Sequence, residues 1–142
     1  MPNHSDRAII VTGAAGAIGY ATAAILASQG ARLMLVDIAE TLETRADALR
    51  RSGAEVTFLR ADCSREDDVQ RYVEATLSQF GRIDGFFNNA GVEGLIAPIH
   101  EYPVHEYDRI MALNLRGVFL GLHHVLKQMV AQGSGSVVNP AP

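Results

Sequence analysis

The chain reads Ala8-Ile9-Ile10-Val11 and then Thr12-Gly13-Ala14-Ala15-Gly16-Ala17-Ile18-Gly19, a short apolar run followed at once by a glycine-rich turn. The apolar run is typical of a strand buried on both faces. Glycine at 13 allows a sharp turn, glycine at 16 allows main chain to approach a ligand, and glycine at 19 allows close helix–strand packing. The start of the following helix would then offer free N–H groups to a pyrophosphate. A strand–helix turn without a ligand is the alternative interpretation of the same glycines.

Segments typical of strands and of helices alternate along the whole chain. The predicted strands are Arg7–Thr12, Leu33–Val36, Val56–Ala61, Ile83–Phe87 and Ser136–Asn139. The predicted helices are Ala17–Gln29, Glu40–Ser52, Ser64–Gly81 with Ser64 as N-cap, and His105–Ala131. Such alternation favours an α/β fold with a doubly wound parallel sheet of about five strands and helices on both faces. Because no linker or repeat interrupts it, residues 1–142 are predicted to form a single dinucleotide-binding domain.

Polar or glycine residues follow every predicted strand, at the edge where ligands bind in parallel sheets. One of them, Asp37, comes 18 residues after Gly19, where an acid can accept a hydrogen bond from the 2′-OH of an adenosine ribose. A carboxylate there would repel a 2′-phosphate, and no Arg or Lys stands at 14–16 or at Ile38 to offset it. The sequence therefore predicts NAD rather than NADP. The alternative for Asp37 is a solvated loop acid.

Composition excludes several classes of function. The net charge is −4, and the eleven arginines and Lys127 are spread along the chain, which argues against nucleic acid and anionic membranes as partners. The single cysteine cannot form an internal disulfide and fits a reducing compartment. Neither an apolar signal segment nor an apolar stretch of about 18 residues is present, so we expect a cytoplasmic protein. The five histidines show no spacing typical of metal ligands.

Taken together, these motifs resemble the short-chain dehydrogenase/reductase family. The matching elements, in chain order, are Thr12–Gly19, Asp37, Asp62, Asn88-Asn89-Ala90-Gly91, Asn114 and Gly135-Ser136-Val137-Val138-Asn139. The resemblance implies a Rossmann-type fold and an oxidoreductase that moves hydride between NAD and a small-molecule alcohol/ketone pair. The family usually has glycine where this chain has Ala17 and a small polar residue where it has Gly16. The extra methyl group of Ala17 near the pyrophosphate would weaken cofactor binding modestly.

The resemblance also implies a role for each matching residue. The implied roles are cofactor phosphate binding for Gly13, Gly16, Ile18 and Gly19, adenosine ribose binding for Asp37, adenine contact for Asp62 and Cys63, and nicotinamide-side ribose contact for Asn89, Ala90 and Gly91. Asn114 corresponds to the family's helix asparagine that anchors a proton-relay water. The alternative for Asn114 is an amide that hydrogen-bonds to nearby main chain.

The chain departs from the family's pattern at the catalytic positions. Pro142 stands where the resemblance implies a catalytic serine, and the only lysine, Lys127, has His123 rather than tyrosine four residues before it. We therefore expect a C-terminally truncated sequence that is inactive alone. A non-catalytic NAD-binding module and a non-functional fragment are the alternatives. Because the helix predicted at 105–131 is apolar nearly all round, we also expect an exposed apolar patch and self-association.

Overall fold

The computed structural model describes residues 3–140 and contains five strands and five α-helices. The strands are β1 (Ala8–Thr12), β2 (Arg32–Asp37), β3 (Val56–Arg60), β4 (Gly85–Phe87) and β5 (Ser136–Val138). The helices are α1 (Ala17–Ser28), α2 (Leu42–Arg51), α3 (Glu66–Phe80), α4 (Val104–Met111) and α5 (Val118–Gln132). A 3₁₀ turn, Ile99–Glu101, precedes α4, and a π-helical turn, Ala112–Gly117, joins α4 to α5.

All four strand pairings are parallel, and the strand order is β3-β2-β1-β4-β5. The chain moves outward from β1 to β3 and then crosses to β4 on the other side of β1. The order of strands therefore reverses between β1 and β4, which opens a crevice at their carboxyl ends. The turns after β1, β2, β3 and β4 meet along this edge, as the sequence predicts.

Two apolar clusters cover the sheet, one on each face. Alternate residues of a strand point to opposite faces, so β2 sends Leu33 and Leu35 to one cluster and Met34 and Val36 to the other. The first cluster includes Ala23 of α1 and Leu42, Ala46 and Leu49 of α2. The second includes Val69, Tyr72, Val73 and Phe80 of α3 and Leu120, Val125 and Met129 of α5. Helices on both faces confirm the doubly wound architecture.

The long helix predicted at 105–131 is not one regular α-helix. Six residues, Ala112–Gly117, form a π-helical turn within a path that otherwise stays helical from Val104 to Gln132. Gly117 is the last residue of the π-helical turn and lies against the loop that follows β3. A Cβ on Gly117 would lie 2.8 Å from the Cys63 carbonyl oxygen. Among residues 3–140, no helix is both long and apolar enough to cross a bilayer.

The predicted N-cap of α3 is wrong. Helix α3 begins at Glu66 with Arg65 as its N-cap residue, and no side chain caps it. The Ser64 hydroxyl instead donates a hydrogen bond of 2.6 Å to Asp62 Oδ1. Asp62 and Ser64 lie in the same tight turn, and the Ser64 N–H donates to the same Asp62 oxygen at 2.9 Å. The Ser64 hydroxyl is therefore bonded within this turn and does not cap α3.

Candidate functional site

The glycine turn after β1 leaves main-chain donors free at the start of α1. Gly13 has φ +65°, in the left-handed region, and a Cβ there would lie 2.8 Å from Asn89 Nδ2. A Cβ on Gly19 would overlap the Gly13 carbonyl oxygen, so α1 can pack this close only with glycine there. The N–H groups of Ala17, Ile18 and Gly19 have no hydrogen-bond partner among the described residues. Three adjacent donors at the positive end of a 12-residue helix are suited to binding an anion.

Gly16 is the residue of this turn with space beside it. A Cβ on Gly16 would meet only the Gly13 carbonyl oxygen, at 3.4 Å. Its φ of −77° is allowed for any residue type. The fold therefore does not require glycine at 16 as it does at 13 and 19, and the missing side chain leaves the outer side of the turn open.

Asp37 lies beside this turn. Its Oδ2 accepts a hydrogen bond of 2.9 Å from the Ala15 N–H, and its Oδ1 accepts one of 3.1 Å from the Ala39 N–H. Both oxygens are thereby fixed by main-chain donors, and the half-buried carboxylate stays at the crevice edge. A carboxylate oxygen has lone pairs for more than one donor, so the group can still accept hydrogen bonds from a ligand hydroxyl.

The turn after β3 places a second acid on the same edge. Asp62 Oδ1 accepts hydrogen bonds from the Ser64 N–H and hydroxyl, whereas Oδ2 has no partner among the described residues. The Asp62 N–H donates to Asp68 Oδ2 at 2.8 Å, which ties this turn to the first turn of α3. One carboxylate oxygen of Asp62 is thus free for a ligand.

Unlike the Asp62 carboxylate, the Cys63 side chain points into the core. It is buried within the apolar cluster that contains Val69 and Tyr72. Burial, reinforced by the negative charges of Asp37, Asp62 and Asp68, raises the pKa of the thiol from its ordinary value of 9.0 to about 12. The thiol therefore stays protonated and enclosed, and only the main chain of Cys63 is available at the edge of the sheet.

The Thr12 hydroxyl joins the ends of β1 and β4, a role that sequence reasoning missed. The fully buried Oγ1 accepts hydrogen bonds from the N–H groups of Asn89, at 2.9 Å, and Ala90, at 3.0 Å. Asn89 Nδ2 also donates to the Thr12 carbonyl oxygen at 3.2 Å. A threonine within an otherwise apolar strand was the available signal, because a buried hydroxyl needs partners. These bonds hold Asn89, Ala90 and Gly91 beside the glycine turn.

Asn88 performs the corresponding task on the other side of β4. Its Nδ2 donates to the Val118 carbonyl oxygen at 3.1 Å and to Asn139 Oδ1 at 3.0 Å. The side chain is buried, and a Cβ on Gly121 would lie 3.1 Å from its Oδ1. The first asparagine of the Asn-Asn-Ala-Gly element therefore stabilises the packing of α5 and β5 on β4, while Asn89 faces β1.

Asn114 lies in the π-helical turn and uses its whole amide on one residue. Its Oδ1 accepts from the Val92 N–H and its Nδ2 donates to the Val92 carbonyl oxygen, both at 2.8 Å. Gly91 makes room for this arrangement, because a Cβ there would lie 3.1 Å from Asn114 Oδ1. Asn114 thus makes the main-chain hydrogen bonds expected from the second of its two interpretations. A role in proton relay stays a prediction.

Arg60, on the strand next to Asp37, is a positively charged neighbour that the sequence alone did not reveal. Arg60 is paired with Asp37 in the β2–β3 register. Its Nη2 and Nε donate to the Ile38 carbonyl oxygen at 3.0 Å and 3.3 Å. Only the pairing of the two strands reveals this neighbour, since 22 residues of sequence separate the hydrogen-bonded groups.

Comparison with known proteins agrees with this geometry. The family model described as short chain dehydrogenase matches residues 7–141. The chain belongs to the short-chain dehydrogenase family. It is 50% identical over 140 residues to levodione reductase from Leifsonia aquatica, covering 96% of this chain and 52% of that protein. The chain thus spans about half the length of the curated relatives it matches.

Two solved short-chain dehydrogenase structures are informative about cofactors. The structure titled NAD+-bound xylitol dehydrogenase superposes with a TM-score of 0.94 at 37% identity, covering 97% of this chain and 54% of that one. A metagenomic short-chain oxidoreductase in complex with NADP superposes with a TM-score of 0.91 at 32% identity, covering 96% and 62%. Nicotinamide cofactors are therefore common to the family, and both forms occur among structural neighbours.

The catalytic positions of the short-chain dehydrogenase pattern fall partly outside the described residues. Pro142, which stands at the expected serine position, lies beyond residues 3–140. Within that range, no tyrosine stands four residues before the single lysine, Lys127. The same range contains no group of three or more His, Cys, Asp or Glu residues that could hold a metal ion.

Proposed function

We propose that this chain forms the NAD-binding portion of an oxidoreductase that moves hydride between NAD and a small-molecule alcohol/ketone pair. One observation carries the proposal: the three free N–H groups of residues 17–19 lie next to a carboxylate that is fixed at the end of β2. Such a pair of sites suits a molecule with a pyrophosphate joined to a ribose diol. Family membership supports the same chemistry.

Each side chain of the site then has a defined task. The free N–H groups of Ala17, Ile18 and Gly19 would bind the pyrophosphate beside Gly13 and Gly16, with the exposed Ile18 side chain against its outer side, and Asp37 would accept hydrogen bonds from the adenosine ribose. The free Asp62 oxygen and the main chain of Cys63 would contact the adenine. Residues 89–91 would line the nicotinamide-side ribose. When bound, NAD supplies the ring that accepts or donates the hydride.

We infer that NAD is preferred over NADP. The Asp37 carboxylate lies where the adenosine ribose is expected, and its charge disfavours a 2′-phosphate at the same place. Both Asp37 oxygens are anchored by main-chain N–H groups, so the carboxylate cannot easily turn away from the phosphate. The direction of the preference therefore follows from a fixed charge.

We infer that proton transfer is not performed by residues of this chain. Sequence positions 1–142 contain no Tyr-x-x-x-Lys pair. A carboxamide is neither an acid nor a base near neutral pH, and the Asn114 amide is already engaged with Val92. The chain by itself would bind cofactor without turnover, which keeps the non-catalytic binding module as the second candidate function.

We further propose that copies of the chain associate through the outer face of α4 and α5. Leu115 and Phe119 are both 60% exposed and line a groove of about 450 Å³ together with Asp108, Met111, Ala112 and Arg116. Leu126 and Val130 continue this apolar face along α5. An exposed apolar strip of this length gains free energy when it is covered.

Calorimetric titration with NAD and NADP, followed by a dehydrogenase assay with simple alcohols, tests the proposal. We expect binding of NAD, weaker binding of NADP and no reduction of NAD. No binding of either nucleotide at millimolar concentration would contradict the proposed site. Measurable NAD-dependent turnover would contradict the proposal that this chain lacks the proton-transferring groups.

A further inference from the structure

We propose that Arg60 is a specificity-determining residue that receives the 2′-phosphate of NADP, so that the chain binds NADP as well as NAD despite Asp37. This inference rests on the proposed function, because it concerns the same adenosine ribose site. Asp37 alone would only repel the 2′-phosphate, and Arg60 would offset part of that repulsion.

The strand register places the two residues side by side. Asp37 and Arg60 are paired on neighbouring parallel strands, which are about 4.8 Å apart in a sheet. Leu33 and Leu35 of β2 and Val56 and Phe58 of β3 pack in the same apolar cluster. Since Asp37 and Arg60 continue these two alternating series, their side chains leave the sheet on the same face.

The Arg60 guanidinium is held in place at this edge. Its Nε and Nη2 donate to the carbonyl oxygen of Ile38, the residue that follows Asp37. These two bonds use two of the five N–H donors of an arginine. The remaining three, including both on Nη1, have no partner among the described residues, and the side chain is exposed.

Free guanidinium donors are the groups that bind phosphate best. An arginine can give a phosphate two parallel charge-assisted hydrogen bonds, and a fixed guanidinium loses little side-chain freedom in doing so. Arg60 forms no ion pair with a carboxylate among the described residues, so its charge is not already neutralised. A phosphate on the ribose held by Asp37 would therefore meet a negative charge on one side and an available positive charge on the other.

The test compares two probes that differ only in the phosphate of interest, adenosine 5′-monophosphate and adenosine 2′,5′-bisphosphate. Their affinities, together with those of NAD and NADP, are measured by calorimetry for the wild-type chain, Arg60→Gln and Arg60→Lys. Arg51→Gln is the matched control, because it removes the same charge from an exposed residue. Arg51 is in the last turn of α2, which leads to the amino end of β3, whereas Arg60 is at its carboxyl end.

We expect Arg60→Gln to weaken binding of the bisphosphate and NADP about tenfold and to leave the monophosphate and NAD within about twofold. Arg60→Lys keeps most of the affinity for the bisphosphate, and Arg51→Gln changes neither. If Arg60→Gln weakens binding of the monophosphate and the bisphosphate equally, or weakens binding of neither, the inference is overturned while the proposed function stays intact. Failure of the wild-type chain to bind any of the four nucleotides overturns the proposed function, and this inference with it.

Discussion

The carboxylate of Asp37 accepts a hydrogen bond of 2.9 Å from the main-chain N–H of Ala15, so the acid that ends β2 is fastened to the glycine turn that follows β1. The turn would bind one part of a dinucleotide and the acid another. Their relative position is set before any ligand arrives, which lowers the entropic cost of binding. Cofactor affinity and selectivity should therefore depend on this single contact.

The first prediction concerns the charge of Asp37. Asp37→Asn keeps the shape of the side chain and removes the negative charge that opposes a 2′-phosphate. We expect the ratio of NAD to NADP affinity to fall about tenfold. Calorimetry measures both affinities. Asp47→Asn, which neutralises an exposed α2 carboxylate paired with Arg50, is the control and should leave the ratio unchanged.

The second prediction separates packing from ligand access in the glycine turn. Gly19→Ala forces a methyl group into the Gly13 carbonyl oxygen, so we expect the free energy of unfolding to fall by about 1–3 kcal/mol. Gly16→Ala meets only ordinary contact and should change stability by less than about 1 kcal/mol. Gly16→Ala should nevertheless weaken NAD binding, because its methyl group covers the open side of the turn. Urea unfolding and calorimetry give the two quantities, and equal stability of the two variants would refute this assignment.

The third prediction concerns Cys63 and alkaline pH. Because burial raises the thiol pKa to about 12, the folded chain should react slowly with a thiol reagent at pH 8 and rapidly once unfolded in urea. The stabilisation from the neutral buried thiol is complete below the ordinary thiol pKa of 9.0, which the unfolded chain has, and is lost as pH rises toward 12.

The free energy of unfolding should therefore fall between about pH 9 and pH 11, and less steeply in Cys63→Ala. Burial also raises the pKa of Tyr72, so the variant removes only part of the alkaline loss. Rapid modification of Cys63 in the folded chain at pH 8 would show that the thiol is not enclosed. Urea titrations at several pH values provide the measurement.

The fourth prediction concerns self-association through the outer face of α4 and α5. Phe119→Glu places a charge within this apolar face, and we expect the sedimentation profile to shift toward monomer. Ile25→Glu is the control, because Ile25 is 59% exposed on α1, which packs against the other face of the sheet. Equal effects of the two variants would indicate general solubility rather than an interface.

The strands and the site edge could be predicted because they depend on local patterns. Short apolar runs followed by Gly, Asp or Asn, and alternating with longer helical patterns, are typical of parallel strands and their carboxyl ends. The π-helical turn could not be predicted, because the apolar residues of 105–131 fit a regular helix. Its last residue, Gly117, lies against the Cys63 carbonyl oxygen, 54 residues earlier in the chain, and local patterns do not reveal such a neighbour.

The missed contacts share this non-local origin. Arg60 reaches the Asp37 region only through the pairing of β2 with β3, and Thr12 finds its partners 77 and 78 residues away. The Ser64 cap failed for a different reason, since the Asp62 carboxylate is an alternative partner that the helix pattern does not reveal. Individual residues at the edge could thus be identified from the sequence, whereas the bonds that hold them together could not.

Amide NMR of the labelled chain during titration with NAD shows whether the dinucleotide binds across the carboxyl edge of this sheet. We expect saturable shifts at Ala15, Gly16–Gly19, Ala39 and Cys63, with little change at the amino edge near Ala8, Arg32 and Ser136. Shifts confined to the amino edge, or none at millimolar NAD, would contradict binding at the carboxyl edge.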